Sequence, residues 1–350
     1  MAVVMQHFSA TAQTHAAVTI PSLVPHGYMA VHLFFVLSGF IMAYTYQDAF
    51  THGKPGAFLD FLGKRVARIV PLNIAVLASI VVLAGIGAVV TGNNAFFTNR
   101  YLPFNLLCNI LMLQGLGVCE NMNGPSWSIS TEFAAYLFFP VFVLVVFHRR
   151  RFVAGVAMVA AAAVLVGIAV TDPRHGLGSM DDGIRLAECF TQFVIGMGVY
   201  RLYRDGRYNA LFGKDAVAFA IVFLIAGCLV LRMDLPAALL FPALILSLAC
   251  NHGWFDRILA SRIPYFVGVI SFSIYLIHDP FRPLELALLR TIHPEPLGYF
   301  PALLMALVGS LSIIPFAWIA YGLVEHPGRV IFRSLFLGWT RARRPAAQND

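Results

Sequence analysis

The chain has 350 residues, of which 59% are apolar and 12% charged, with a net charge of +7 and a mean hydropathy of +0.77. A soluble domain of this size carries roughly a quarter charged residues, so a water-soluble fold is excluded and an all-α polytopic membrane protein is expected. Lys and Arg cluster in short loops between apolar runs, the pattern of topology signals and anionic headgroup contact, which speaks against a nucleic-acid groove.

Apolar runs with at most two charged residues fall near residues 1–18, 27–46, 68–90, 104–118, 127–147, 152–170, 187–203, 215–231, 235–251, 264–281 and 299–323. The first, "MAVVMQHFSATAQTHAAV", has no basic n-region, so no cleavable signal peptide is expected. It carries His7; taken alone, a membrane histidine is a hydrogen-bonded packing residue, and His15, His26 and His32 lie close by. The second contains "HLFFVLSGF", residues 32–40, with a small, hydroxyl-bearing Ser38–Gly39 pair that lets another backbone approach and faces a polar channel. Next comes "FLGKRVARIVPLN", residues 61–73. Arg65 and Arg68 read either as snorkelling anchors at a helix start or as a phosphate clamp, since guanidinium groups bind phosphate bidentately.

Basic loops follow the second run, at residues 148–151, 201–214 and 256–262, and at the tail. If all are cytoplasmic, an even number of crossings separates neighbouring loops, so one of the three runs between the first two loops does not span. The run 104–118 is the shortest and is interrupted by Asn109 and Gln114, so it is expected to be re-entrant. About ten spans remain, with both termini cytoplasmic. In "NGPSWSISTEFAAYLFFP", residues 123–140, a turn leads into a helix with Ser126 or Ser128 available as cap, and Glu132 falls inside the apolar stretch. An ionisable group there is costly unless paired or facing a cavity, which makes Glu132 a candidate functional residue. The five cysteines lack metal-like spacing and are read as buried thiols, and no metal site is expected. "GVISFSIYLIHDPF", residues 268–281, holds Ser271, Ser273, Tyr275 and His278, equally suited to helix packing, and Glu325 closes the last run as a headgroup-level carboxylate. One membrane domain is expected over residues 1–335, followed by a basic cytoplasmic tail over 336–350.

These stretches, in this order, resemble acyltransferase family 3, the bacterial membrane O-acyltransferases acting on extracytoplasmic glycans. "AVHLFFVLSGFIM" is similar to the family's "VDLFFVLSGF", "KRVARIVPL" to its basic motif, "PSWSISTEFAAYLFFP" to "WSLSVEFxFYLxxP", "GVISFSIYLIH" to "GxxSYSxYLxH" and "VEHP" to its closing Glu-x-Pro. The resemblance implies about ten helices in the bacterial cytoplasmic (inner) membrane and transfer of an acyl group, most often acetyl, from cytoplasmic acetyl-CoA or another acyl-CoA to a hydroxyl across the membrane. The acceptor would be a lipid-linked saccharide or nascent polysaccharide; membrane lipids are the other partner, and no cofactor is held permanently. His7 "MAVVMQHFS" matches the family's catalytic histidine, and a histidine near neutrality can take the proton of a sugar hydroxyl as it attacks a thioester. By the same resemblance Glu132 joins His7 as catalytic, orienting it or the acceptor. Arg65, Arg68, Ser38 and Gly39 form the acyl-CoA path, and Trp127, Ser128, Tyr136, Tyr275 and His278 bind substrate.

Two departures stand out. The family's first-helix Arg would fall before Met1, so the first helix is expected to be truncated at its N-terminus or the enzyme impaired; and His32 stands where the family often has Asp. The rival reading is a transporter or flippase of a lipid-linked sugar, against which stands the lack of an internal repeat with paired broken helices.

Overall fold

The computed structural model of the protein describes residues 1–19, 26–171, 177–178 and 181–342, the side chains of 336–342 excepted. In chain order the elements are α1 (Ala2–Gln13), α2 (Met29–Thr51), α3 (Ala57–Thr91), the one-turn α4 (Ala95–Thr98), α5 (Leu102–Ile110), a 3₁₀ turn (Gln114–Leu116), α6 (Ser126–Val146) and α7 (Arg151–Thr171). Then come α8 (Asp182–Asp205), α9 (Asn209–Phe212), α10 (Asp215–Val230), α11 (Asp234–Cys250), α12 (Trp254–Leu259), α13 (Arg262–Val269), α14 (Ser271–Ile292), α15 (Tyr299–Ala320), a π-turn (Tyr321–Glu325) and α16 (His326–Ala342). No strand occurs among the described residues, only a single bridge between Ala16 and Leu297. Five helical stretches are long and apolar enough to cross a membrane, namely α2, α3, α6, α7 and the continuous run Tyr299–Leu335; α10 and α11 are apolar but shorter. The chain is a helical, polytopic membrane protein, because a helix satisfies its own backbone in lipid.

Several boundaries differ from the hydropathy reading, since backbone hydrogen bonding does not distinguish charged from apolar residues. The basic stretch after α2 is not a loop: Gly56, left-handed at φ 76°, ends the turn, and α3 starts at Ala57. Arg65 and Arg68 therefore ride in the third and fourth turns of a rigid helix. The run 264–281 is two helices broken at Ile270, and α14 continues through Pro280 and Pro283 to Ile292. The last run does not close at Glu325, and the expected 335/336 boundary falls inside α16; tail residues 343–350 lie outside the described residues. Helix α5, with nine residues, is about 13 Å long and too short to cross. The cysteine reading is corrected as well: Cys108 at the end of α5 and Cys119 form a disulfide, while Cys189, Cys228 and Cys250 are free thiols.

The core lies where α2 crosses α8, the two helices sharing the longest packed face. A Cβ on Gly39 would overlap the backbone of Phe193, and one on Gly196 would overlap the carbonyl of Val36. Small residues at this crossing let the two backbones touch, the usual source of packing energy between helices in lipid. Gly39 is thus a packing residue that faces α8, and the expectation that it lines an acyl-CoA path is overturned. Around the crossing, Phe61 and Phe139 stack with ring centroids 4.8 Å apart, and Phe50 meets Phe139 edge-on at 5.2 Å.

Candidate active site

A cavity of about 400 Å³ opens between α1, α2, α3, α6 and the start of α14. Ser38, Arg65, Arg68, Ser128, Glu132, Tyr136 and Tyr275, spread over four helices, all line it; the rest of its wall is mainly apolar, including Val3, Val4, Phe34 and Leu37. Glu132 is nearly fully buried, at 4% exposure, and its Oε1 accepts hydrogen bonds from the hydroxyls of Ser38 and Tyr136. The two donors sit on α2 and one turn further along α6, so the carboxylate ties the helices together while facing the cavity. Tyr275 and Ser128 share a hydroxyl contact of 2.7 Å, and the Tyr275 hydroxyl donates to the Pro125 carbonyl at 3.1 Å. Ser126 and Ser128 do not cap α6 as expected; Pro125 holds that position, and their hydroxyls turn to Asn121 and Tyr275 instead.

The two arginines differ. Arg68 pairs with Glu325 at 2.7 Å, and Glu325 also accepts from Arg329 at 2.6 Å and from Ser273 at 2.6 Å. Glu325 is 1% exposed, so it is a buried counter-ion rather than a carboxylate at headgroup level, delivered by the π-turn that precedes α16. Arg65 has no ion pair among the described residues: it donates to the Tyr46 hydroxyl at 3.2 Å, and its buried Nε has no partner. The cavity therefore carries one guanidinium without a close ion pair and with donor capacity to spare, the Glu132 carboxylate acting on it at longer range.

His7 and His278 do not line the cavity but lie one helical turn past residues that do, Val3 and Val4 on α1 and Ile274 and Tyr275 on α14. His7 Nδ1 and His278 Nε2 are 2.9 Å apart. The protons on this pair follow from its surroundings. His278 Nδ1 lies 2.7 Å from the Tyr275 carbonyl oxygen, which can only accept, so Nδ1 donates. Burial of a cation against a second imidazole is costly, so the rings are neutral; His278 Nε2 then accepts, and His7 Nδ1 donates to it. His7 Nε2 is left with a free lone pair, the atom a general base needs. Glu132 takes no part in this pair, contrary to the expectation that it orients His7: its partners are Ser38 and Tyr136, and the orienting group is His278.

Charged residues that sequence reasoning passed over flank the pair. Asp279 holds ligand atoms within 4.8 Å of His7 and His278, yet its Oδ1 pairs with Arg282 at 2.7 Å and its Oδ2 accepts from Gly124 N–H at 3.0 Å. With Asp279 engaged and the two histidines bonded to each other, the cluster is a charge-balanced hydrogen-bond network. Arg282 Nε also donates to Thr11 Oγ1 at 2.8 Å, joining α14 to α1 one turn past His7. Two charges in "HDPFRP", inside an apolar helix, were the available signal. Trp127 does not line the cavity either; it packs edge-on to Phe35 at 6.2 Å beneath the Arg185 guanidinium, 4.6 Å from the ring centre. His32, where the family often has Asp, is buried and accepts from Gln192 Nε2 at 2.7 Å, which fixes it in the core between α2 and α8.

The family model for the acyltransferase domain of acyltransferase family 3 matches residues 1–322. The chain belongs to that family. It is also similar to the acyltransferase MdmB of Streptomyces mycarofaciens, 28% identical over 280 residues that make up 72% of this chain and 67% of the relative. No solved structure matches. Family membership decides between the readings left open by the residues: the protein is a membrane enzyme that transfers acyl groups, and the transporter reading falls away.

Proposed function

We infer that this acyltransferase moves an acyl group, acetyl in the simplest case, from cytoplasmic acyl-CoA to a hydroxyl of an extracytoplasmic or lipid-linked saccharide in the bacterial inner membrane. The observation that carries the reading is the His7–His278 pair, with a free imidazole lone pair one turn beyond a cavity that holds an arginine with a spare donor. His7 Nε2 takes the acceptor hydroxyl's proton as its oxygen attacks the thioester carbonyl carbon. The C–O bond forms, the C–S bond breaks, and the proton passes from His7 to the departing CoA sulfur, so the enzyme ends as it began. Arg65, with its unpartnered Nε, and Arg68, part-compensated by Glu325, suit the CoA phosphates. Ser38, Glu132, Tyr136, Ser128 and Tyr275 give a polar strip along an otherwise apolar wall, fitting the amide-bearing pantetheine arm and a short acyl chain.

The charge parity of the basic loops supports ten crossings with both termini cytoplasmic, which places the arginine end of the cavity toward the cytoplasm. A disulfide between Cys108 and Cys119, one crossing away from the basic loop on either side in this reading, suits an oxidising exterior. The test is purified protein in lipid nanodiscs, given radiolabelled acetyl-CoA and a lipid-linked saccharide extract. Label transfer to the saccharide by the parent, with none by a correctly folded His7→Ala variant, is the expected outcome. Transfer by His7→Ala at the parent rate would sink the reading.

A further inference from the structure

The stretch from Cys119 to Pro125 has no regular secondary structure before α6, yet it is among the best-anchored loops described. At its start, Cys119 is bonded to Cys108, and Asn109, fully buried, donates to the Glu120 carbonyl at 2.8 Å while its Oδ1 accepts from Met122 N–H at 3.1 Å. Asn109 is held in turn by α3, through Asn73 Nδ2 to its carbonyl at 3.0 Å. At its far end the loop grips α14 at three successive points. Pro125 O accepts from the Tyr275 hydroxyl at 3.1 Å, Asn123 Nδ2 donates to the Leu276 carbonyl at 3.0 Å, and Gly124 N–H donates to Asp279 Oδ2 at 3.0 Å. These three contacts bracket His278.

Two details argue that the grip serves more than loop closure. The Leu276 carbonyl lies within α14, but the residue four positions on is Pro280, which has no N–H, so Asn123 supplies from outside the bond the helix cannot make at the turn that carries His278. Asn123 is itself fully buried, and its Oδ1 has no partner. An orphaned buried acceptor costs stability, and an apolar side chain of similar size would avoid that cost only by leaving the Leu276 carbonyl of α14 without a donor. A Cβ on Gly124 would lie 2.8 Å from Asp279 Oδ2, so a larger residue there would push this carboxylate aside.

We propose that residues 119–125 are a strap that positions His278 against His7, anchored by the Cys108–Cys119 disulfide and Asn109 and seated on α14 by Asn123. Asn123 acts through His278 and is a positioning residue, not a catalytic one. The activity part of the proposal rests on the reading of His7 as general base. The geometric part does not: the strap either holds the histidine pair in place or fails to do so. The strap touches α14 at residues 275–279, whereas the Arg68–Glu325 pair meets the same helix at Ser273, so loosening the strap spares the arginine end of the cavity.

The experiment compares the parent with Asn123→Ala, Asn123→Asp and the double variant Cys108→Ser/Cys119→Ser, each as full chain in nanodiscs. Folding is checked by monodisperse elution and a cooperative thermal transition. The first readout is the rate at which diethyl pyrocarbonate modifies His278, followed by peptide mass spectrometry. His278 is 0% exposed in the parent, and faster modification is expected in every folded variant. The isosteric Asn123→Asp keeps the volume and loses the donor, so it behaves like Asn123→Ala if the hydrogen bond matters and like the parent if only space filling does. The second readout is the kinetics: because the strap acts through the hydrogen bond that His278 accepts from His7, kcat falls by no more than the loss of that bond would cost, at most about tenfold, while KM for acyl-CoA stays within about twofold. Unchanged His278 modification in the folded variants overturns the strap. Faster modification in a protein whose parent transfers no acyl group upholds the strap and overturns the functional reading instead.

Discussion

The tautomer chain on α1 and α14 separates the two histidines by magnitude. Replacing His278 with Phe keeps an aromatic ring in a fully buried position and removes the acceptor of the His7 Nδ1 proton. His7 then chooses its tautomer freely, and the catalytic form loses the net worth of one hydrogen bond, about 0.5–1.5 kcal/mol, equivalent to roughly a twofold to thirteenfold loss of rate. Removing the base is more severe: His7→Ala forfeits general-base catalysis, worth on the order of 10²–10⁴-fold. His278→Gln offers an amide oxygen where Nε2 stood and is expected to recover most of the loss. The assay is single-turnover acyl transfer at saturating acyl-CoA, so that binding does not enter, with each variant's folding checked by thermal unfolding. A His278→Phe rate as low as that of His7→Ala would refute the assignment, because it would make His278 the base, or the pair an inseparable unit, rather than a base and its orienter.

Glu132→Ala leaves the Ser38 and Tyr136 hydroxyls buried without an acceptor, at about 1–3 kcal/mol each, so its thermal unfolding midpoint falls well below that of Glu132→Gln, which keeps an acceptor. Gly39→Ala drives a methyl into the backbone of Phe193 and destabilises by about 1–3 kcal/mol or more. Gly87→Ala on α3 meets nothing within 4 Å and is expected to be stabilising by about 1 kcal/mol through helix propensity; denaturation in detergent checks both. Arg65→Ala raises KM for acyl-CoA about tenfold with kcat within about twofold, the mark of lost ground-state binding, whereas Arg68→Ala also lowers thermal stability because Glu325 loses one of its two cations. A topology reporter fused after Arg151 reads cytoplasmic, and an external signal there would mean that residues 104–118 cross the membrane.

Much of the site was legible before any coordinates. Glu132 stands out because an ionisable group inside an apolar run is expensive, Ser38 as a hydroxyl facing a polar channel, Arg65 and Arg68 as a phosphate clamp, and Ser128, Tyr136 and Tyr275 through the family resemblance, and all seven reach one cavity. The same rule applied to Asp279 and Arg282 would have found the network around His278. Asp279 lies near the end of the run 264–281 and Arg282 just beyond it, so hydropathy reads both as the margin of a span, while the helix itself goes on to Ile292. Gly39 and Trp127 were misassigned for a different reason. Position along the chain puts both beside site residues, but on a helix neighbours in sequence point about 100° apart, so Gly39 faces α8 while Ser38 faces the cavity.

Composition and hydropathy alone determined that the chain is a helical membrane protein, because no other backbone satisfies itself in lipid, and the order of its motifs pointed to an acyltransferase before the family match established it. Pairing was beyond their reach. Which carboxylate answers which arginine, that His7 is oriented by His278 rather than Glu132, that Cys108 and Cys119 are joined, and that a loop before α6 clasps α14 are all contacts between residues up to 271 positions apart. Such contacts depend on how helices rotate and cross, and that is settled by packing at places like Gly39 and Gly196, where the absence of a side chain brings two backbones together.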